Sequence, residues 1–303
     1  MSRTIKERQN DSDILDLQFS ARYHMSKASR YNSYIFCLIL FILFIQCLLI
    51  YGIVYKNEKN ILLISINFLC NLLLFLFNFM PKPSIEIGSI TKEYVDCELF
   101  NINFSYIGNI ENTDIDKLKE KKILAINKSN PTYYNKQISN SGNSPARGLK
   151  DWYNLNDDDN GENAILKCQD QNNFWSNRLV IDYRRLLYVI LIISFTLFLI
   201  PIFLIVDKEI YHFTSIFEII PTLSLVWYII DQINKTNDYY IQTIKIDTLI
   251  STKDNCIDKK KLIIVIQKEI FKKRNLIIVP DFLHKFANSN LHQFWSSRNN
   301  STS

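Results

Sequence analysis

Glycine is scarce in this sequence: six residues in 303, and of the long apolar stretches only the first contains one, Gly52. So little glycine leaves almost nothing from which to build a phosphate-cradling loop or a dinucleotide fingerprint, and no GxSxG elbow is present. The four histidines, His24, His212, His284 and His292, form neither an HExxH pattern nor a pair at helical metal spacing. Of the six cysteines, Cys37, Cys47 and Cys70 fall inside apolar runs, and Cys97, Cys168 and Cys256 are far apart with no CxxC pair. That excludes a secreted disulfide framework and gives no sign of a zinc site or redox motif. Asp157–Asp159 looks like a metal cluster only superficially, since adjacent acids before a helix serve caps and turns. No catalytic residue, metal or cofactor is expected, and the chain reads as non-enzymatic.

Charge is missing in blocks. Residues 34–55, 61–80 and 186–206 contain no Asp, Glu, Lys or Arg, and 212–230 contains one, Glu218. As helices these windows would each run roughly 28–33 Å, close to the hydrocarbon thickness of a bilayer. A core helix of a soluble protein is amphipathic, whereas Tyr34–Tyr55 is apolar on every face except at Gln46. The first window starts too late, runs too long and lacks the small-residue site of a cleavable signal peptide. A soluble globular enzyme is thereby ruled out. The linkers 56–60 and 207–211 are short enough to make two helical hairpins, so the remaining mass falls on one side of the membrane.

The expected fold class is an all-α membrane protein with four transmembrane helices in two hairpins. A helical N-terminal segment, 1–33, precedes the first hairpin, 34–80 (spans 34–55 and 61–80). An insert domain, 81–185, precedes the second hairpin, 186–230 (spans 186–206 and 212–230), and a C-terminal region, 231–303, ends in a polar tail from about residue 288. Near the span ends the large side carries Arg22, Lys27, Arg30, Lys82, Lys92, Lys167, Arg178, Arg184, Arg185, Lys235 and Lys245. The hairpin tips carry only Lys56, Lys59 and Lys208, diluted by Glu58, Asp207 and Glu209. The positive-inside rule then makes the insert and both termini cytoplasmic.

In the soluble parts, Asp11 or Ser12 can cap a helix that no Pro or Gly separates from Tyr34. Ile165, Cys168, Asn172, Trp175, Leu179 and Tyr183 recur at helical spacing and lead without a breaker into the third span. Helix is likewise expected to continue from Asp231 to about Thr248. Further helices are expected over 84–100, Thr113–Asn127 and Ile257–Phe271, a short extended piece over Leu276–Pro280, and a loop or partly disordered segment over 129–147. The formal charge of +5 is concentrated after residue 230, in Lys259–Lys261 and Lys272–Arg274. Such lysines suit a solvated face or contact with anionic headgroups.

Polar residues inside the apolar windows are the more informative feature. Asn67, Asn71 and Asn78 fall near one line of a helix. They can make interhelical hydrogen bonds or line a water path once helices assemble. Glu218 shares a face with Ser215 and Thr222; a carboxylate in a bilayer is costly and ordinarily faces a partner or water, unless it sits at the outer interface. Pro201 and Pro221 remove backbone donors and can hinge their helices. Without GxxxG motifs the bundle should pack loosely, and four spans with one polar seam are too few to enclose a path, so conduction would require a homo-oligomer.

Several phrases occur together: Tyr94–Phe100 (YVDCELF), Lys150-Asp151-Trp152-Tyr153, Cys168-Gln169 with Asn172, Trp175, Leu179 and Tyr183, Ile266–Phe271 (IQKEIF), Arg274, and Pro280-Asp281. In order and spacing the chain resembles the SMODS-associated four-transmembrane effectors of bacterial cyclic-oligonucleotide defence systems. It departs from their pattern at Ser176, Val180 and near Leu283. The resemblance implies a pore-forming effector in the bacterial inner membrane: a partner nucleotidyltransferase, stimulated by phage, makes a nucleotide second messenger, the cytoplasmic part binds it, and the bundle oligomerises or opens. Depolarisation and abortive death of the infected cell follow. No DNA or RNA binding is expected. For the messenger, Arg147, Lys150, Trp152 and Tyr153 combine cations with aromatic rings suited to phosphate contact and base stacking; the alternative is that Trp152 and Tyr153 are core of the insert. A non-conducting membrane sensor or scaffold is the competing function. A small transporter is disfavoured, because the hairpins share no obvious repeat.

Overall fold

The computed structural model describes residues 3–52, 61–103, 130–141, 148–156, 159–207, 213–254 and 256–283, with backbone alone at 176, 201–207 and 213–221. The architecture is all-helical: the described residues contain eight helices and no strand, only an isolated bridge between Ser141 and Lys150. In chain order the helices are α1 (Ile5–Arg8), α2 (Ser12–Tyr51), α3 (Ile61–Phe77), α4 (Pro81–Phe100), α5 (Pro131–Ser139), α6 (Gly161–Asp207), α7 (Phe213–Ser251) and α8 (Lys259–Arg274). Three stretches are long and apolar enough to cross a membrane: Ser12–Tyr51, Ile61–Phe100 and Gly161–Ile200. The fourth window, 212–230, lies largely where side chains are outside the described residues, as do Pro201, Glu218 and Pro221; the backbone at all three is helical.

Local chemistry accounts for the helix ends. Thr4 and Glu7 form a reciprocal capping box at α1, and the Asp258 carboxylate accepts from the Lys261 N–H at 3.1 Å to start α8. α3 ends in a turn through 78–80, where Phe79 N–H donates to Leu76 O at 3.3 Å and Met80 N–H to Phe77 O at 3.0 Å. Pro81 then occupies the first position of α4, where a missing donor costs nothing. α4 closes at Phe100 with Asn101 in the left-handed region, φ 54°. The absence of breakers before residues 34 and 186 and after 230 is matched by unbroken helix across each boundary.

The chain divides into two compact units. The first comprises Met1–Lys27, Pro83–Asn177 and Tyr239–Ile277. One of its apolar clusters joins Leu17, Val95, Leu99, Phe100, Tyr153, Leu155, Ala164 and Cys168. Another joins Leu166 and Ile246 to the α8 stripe Leu262, Ile263, Ile266 and Ile270, whose spacing is that of one helix face. A third cluster, Leu15, Phe19 and Leu149, takes in Tyr134 and Ile138 of α5.

That third cluster explains a departure from the sequence reading, which makes 129–147 a loop: the structure has a helix over Pro131–Ser139. Its Asn, Ser and Pro content argues for a turn, but Pro131 suits a first helical turn. Phe19 meets the Tyr134 ring edge-on at 5.0 Å, and the Tyr134 hydroxyl donates to Asp16. Tertiary packing outweighs propensity here. The expected helix over Thr113–Asn127 and the polar tail from 288 lie outside the described residues. Residues 277–280 are non-helical, with no strand partner.

The second unit comprises Ala28–Lys82, Arg178–Asp238 and Ile278–Ser303. Its interior holds Ile35, Ile39, Ile42, Leu74, Leu187, Ile190, Leu225 and Ile229 together with polar Gln46, Asn67, Asn71, Ser194 and Thr222. Its outer face displays Phe41, Phe44, Leu62, Phe68, Leu72, Phe75, Ile192, Phe195 and Trp227. Polar groups inside and large apolar side chains outside are the arrangement of a bundle whose solvent is lipid.

Candidate functional site

Asp96, Tyr153, Asn172 and Arg274, drawn from four of the sequence phrases, converge in the first unit on one buried ionic cluster. α4 supplies Lys92, Glu93 and Asp96 from one face. Arg274, in the last turn of α8, reaches them: Nη1 lies 2.6 Å from Glu93 Oε2, and Nη2 pairs with Asp96 Oδ2. Lys92 Nζ is 3.1 Å from Asp96 Oδ1. The Tyr153 hydroxyl donates to the same Oδ1 at 2.6 Å, and Asn172 Nδ2 of α6 donates to the tyrosine oxygen at 2.9 Å. Burial drives the Asp96 carboxyl up, but Lys92, Arg274 and the tyrosine hydroxyl outweigh it and hold it below its usual range. Arg274 is raised on balance: burial opposes its charge, and Asp96 and Glu93 more than restore it. Burial lowers Lys92 despite Asp96. Two cations face two carboxylates, so the formal charges cancel, and the cluster ties four distant segments together rather than presenting charge to a ligand.

The tetrad Lys150-Asp151-Trp152-Tyr153 is clamped from both sides. Gln9 accepts from the Tyr153 N–H at 2.8 Å and donates to its carbonyl at 3.3 Å. Asn10 exchanges two bonds with Asp151, at 3.0 and 2.9 Å. Gln171 donates to Trp152 O at 2.8 Å. Asp151 holds a left-handed φ of 49° within this clamp. Just upstream, Gly148 cannot be replaced without moving backbone, since an added Cβ would lie 1.6 Å from Asn140 O.

The four residues read as a messenger site separate in character. Tyr153 is buried with its hydroxyl committed to Asp96, Trp152 is half-buried with Lys92 Nζ 5.8 Å from its ring centroid, and Lys150 is exposed. Arg147 lies outside the described residues. The sequence reading did not single out Lys92, Glu93, Asp96 and Asn172 as a set, although Asp96 and Asn172 sit within its phrases. A legible signal was available: Glu93 and Asp96 interrupt an otherwise apolar helix face that includes Val95 and Leu99.

A second buried polar group lies where α6, α7 and α8 pack in the same unit. Gln169 Nε2 donates to Gln267 Oε1 at 2.9 Å and to Ile263 O at 3.0 Å. Lys273, nearly inaccessible, donates to Asn173 Oδ1, with its ammonium 5.0 Å from the Tyr239 ring centroid. Asn173 Nδ2 in turn donates to Asp247 Oδ1 at 2.7 Å. Burial, helped by Arg274 and opposed by Asp247, brings the Lys273 amine down to about 7.

In the second unit the polar residues of the spans meet one another. Gln46 Nε2 of α2 donates to Thr222 Oγ1 of α7 at 3.0 Å. Ser224 donates to Asn71 Oδ1 at 2.9 Å, and Asn71 Nδ2 donates to Asn67 O at 2.9 Å. Asn67 and Asn71 are buried inside the bundle, while Asn78 lies half-buried in the turn after α3. Among the described residues no three His, Cys, Asp or Glu side chains gather as a metal site would.

An all-helical membrane protein, with a hydrogen-bonded polar interior to its apolar bundle and a helical unit organised around buried ions, is the class that these features define. The chain belongs to the family of the SMODS-associating 4TM effector domain, whose model matches residues 3–297. No curated protein and no solved structure matches it.

Proposed function

We propose that this protein is a pore-forming effector of a bacterial anti-phage system, opened by a nucleotide second messenger that a partner nucleotidyltransferase makes. The observation that carries the reading is the inverted polarity of the bundle: Gln46, Asn67, Asn71 and Thr222 are buried inside it, Gln46 bonded to Thr222 and Asn71 to Asn67 and to Ser224, while large apolar side chains face out. Intramembrane polar groups held by side-chain bonds of modest strength can exchange those bonds for water when helices shift. Four spans in two hairpins, both termini and the 81–185 insert in the cytoplasm, and a homo-oligomer in the inner membrane complete the proposal. Helices that run unbroken from the first unit into the apolar windows support direct transmission from messenger binding to the bundle. The effector acts on the membrane and not by catalysis, ending in depolarisation and abortive infection. Glu218, Pro201 and Pro221 remain the proposed charge and hinges of the conducting state.

Co-expression with a cyclic-oligonucleotide source should collapse the membrane potential, and Asn71→Leu or Glu218→Leu should reduce the collapse. An activated wild type that keeps its potential discards the reading. For the messenger site, Arg147 and the exposed Lys150 are proposed contacts, with Trp152 as a stacking surface and Tyr153 as its support. Lys150→Ala and Arg147→Ala should weaken nucleotide binding in titration calorimetry; equal affinity removes them from the site.

One observation favours a second reading, a non-conducting sensor or scaffold: Gln46 bonds to Thr222, and Asn71 to Asn67 and Ser224, all within one chain. That reading requires no ion flux and a phenotype retained by the soluble part alone (81–185 joined to 231–303).

A further inference from the structure

Four residues of α2 line up at Ser29, Asn32, Ser33 and Phe36, a spacing that puts them on one helix face. All four engage the chain that follows α8. Ser29 Oγ donates to Val279 O at 2.7 Å, and Asn32 Nδ2 donates to Ile278 O. The Asp281 N–H donates to Ser33 Oγ at 2.8 Å. The Phe36 and Phe282 rings meet with centroids 4.8 Å apart. Val279 and Pro280 are buried. Residues 277–280 have no helix or strand of their own; side chains of α2 take the Ile278 and Val279 carbonyls, and Pro280 O accepts from the Leu283 N–H at 3.1 Å. Pro280 removes one donor that would otherwise need a partner and fixes the local φ.

The placement of this strap gives it a use. Its anchor on α2 spans the start of the first uncharged window at Tyr34. Only residues 275–277 separate it from the buried Lys273 and from Arg274, the cation of the ionic cluster. Each side-chain-to-backbone bond shifts an equilibrium by about two- to tenfold, so the three together hold the strap by a factor on the order of a hundred. That is enough to set a resting state and small enough to open locally without unfolding a helix.

We propose that residues 278–283 form a clasp on the base of the first span, closed in the resting protein and released when α8 shifts, so that its release frees α2 for activation. This rests on the pore reading, and it gives the phrase Pro280-Asp281 a physical role.

The test needs no nucleotide. Full-length protein with Ser29→Ala, Asn32→Ala and Ser33→Ala is compared with wild type by hydrogen exchange over 277–283, and by membrane potential in cells without a cyclic-oligonucleotide source. Exchange faster by roughly tenfold or more, with spontaneous depolarisation, is the expected result. Unchanged exchange overturns the clasp. Fast exchange without depolarisation, in a background where wild type responds to the source, overturns the clasp's control and leaves the pore reading standing. If neither protein ever depolarises, the pore reading falls and the control role with it. Should the triple variant fold poorly, Ser33→Cys with Asp281→Cys gives a clasp locked by oxidation. Locking should abolish the source-triggered response and a reductant should restore it, while a locked protein that still responds overturns the proposal.

Discussion

Arg274 and Asp96 stand 178 residues apart in the chain and meet as a buried ion pair, with Glu93 sharing the same guanidinium. Removing the arginine would leave two carboxylates without their main counter-charge in a site from which water is nearly excluded. Breaking one side of a buried pair costs about 3–5 kcal/mol. Arg274→Ala should therefore lower the midpoint of thermal unfolding in detergent by many degrees. Arg274→Lys should recover little, because one ammonium cannot bridge two carboxylates in a fixed fork. If Arg274→Lys melts with the wild type, the two-carboxylate geometry does not matter to stability.

Tyr153 and Lys150 belong to one tetrad yet should respond differently. Tyr153→Phe removes a hydroxyl that serves Asp96 and Asn172, at 2.6 and 2.9 Å, and should cost about 1–3 kcal/mol. Its ring is buried, so messenger affinity per folded molecule should be unchanged. Lys150→Ala should leave the melting curve alone and weaken binding. Parallel calorimetric titrations and melts on the two variants separate core from contact. A loss of affinity in Tyr153→Phe at full folding would move this tyrosine into the site.

The contrast between these residues shows what can be read from the chain. The long rods were legible because missing charge and missing breakers are local properties: Ser12–Tyr51, Gly161–Asp207 and Phe213–Ser251 run unbroken where no Pro or Gly stands at the expected membrane surface. Asn67 and Asn71 face inward from α3, whereas Asn78, expected on the same line, stands half-buried in the turn after the helix ends at Phe77. α5 was not legible, because Phe19 and Asp16, more than a hundred residues away, decide its conformation. The ionic cluster was half-hidden for the same reason: Glu93 and Asp96 interrupt an apolar helix face, but nothing local pairs them with Arg274 until α4 and α8 meet. The strap 278–283 carries no periodicity at all, since its bonds are made by another helix.

Gln46 and Thr222 provide a test of the bundle interior. Their side chains meet at 3.0 Å, linking α2 to α7. Interhelical bonds of this kind in membranes average about 0.6 kcal/mol in double-mutant cycles, because the separated helices find other partners. Gln46→Leu, Thr222→Val and the double variant should give a coupling energy near that value by reversible unfolding in micelles. A coupling indistinguishable from zero would mean that the pair does not hold the helices together. One of several kcal/mol would mean that the seam is too strong to open as the pore reading requires.

Lys273 makes a prediction about pH whose sign follows from its burial. The amine falls from its ordinary value of 10.5 to about 7 in the folded protein, with burial the main cause. Between those values the unfolded chain holds a proton on this lysine that the folded chain does not, so stability from this group rises with pH from about 7 to about 10 and is flat below 7. The difference in unfolding free energy between wild type and Lys273→Met isolates the group from the many others that titrate. That difference should shift in favour of wild type as pH rises through this window, with a slope approaching one proton. Arg274 alongside and Asp247, reached through Asn173, pull the amine in opposite directions. Asp247→Asn should therefore lower the amine further and widen the window at its acidic end. A wild-type-minus-Met difference that is constant from pH 6 to 10 would mean that Lys273 keeps its charge in the fold, stabilised by Asn173 and the Tyr239 ring.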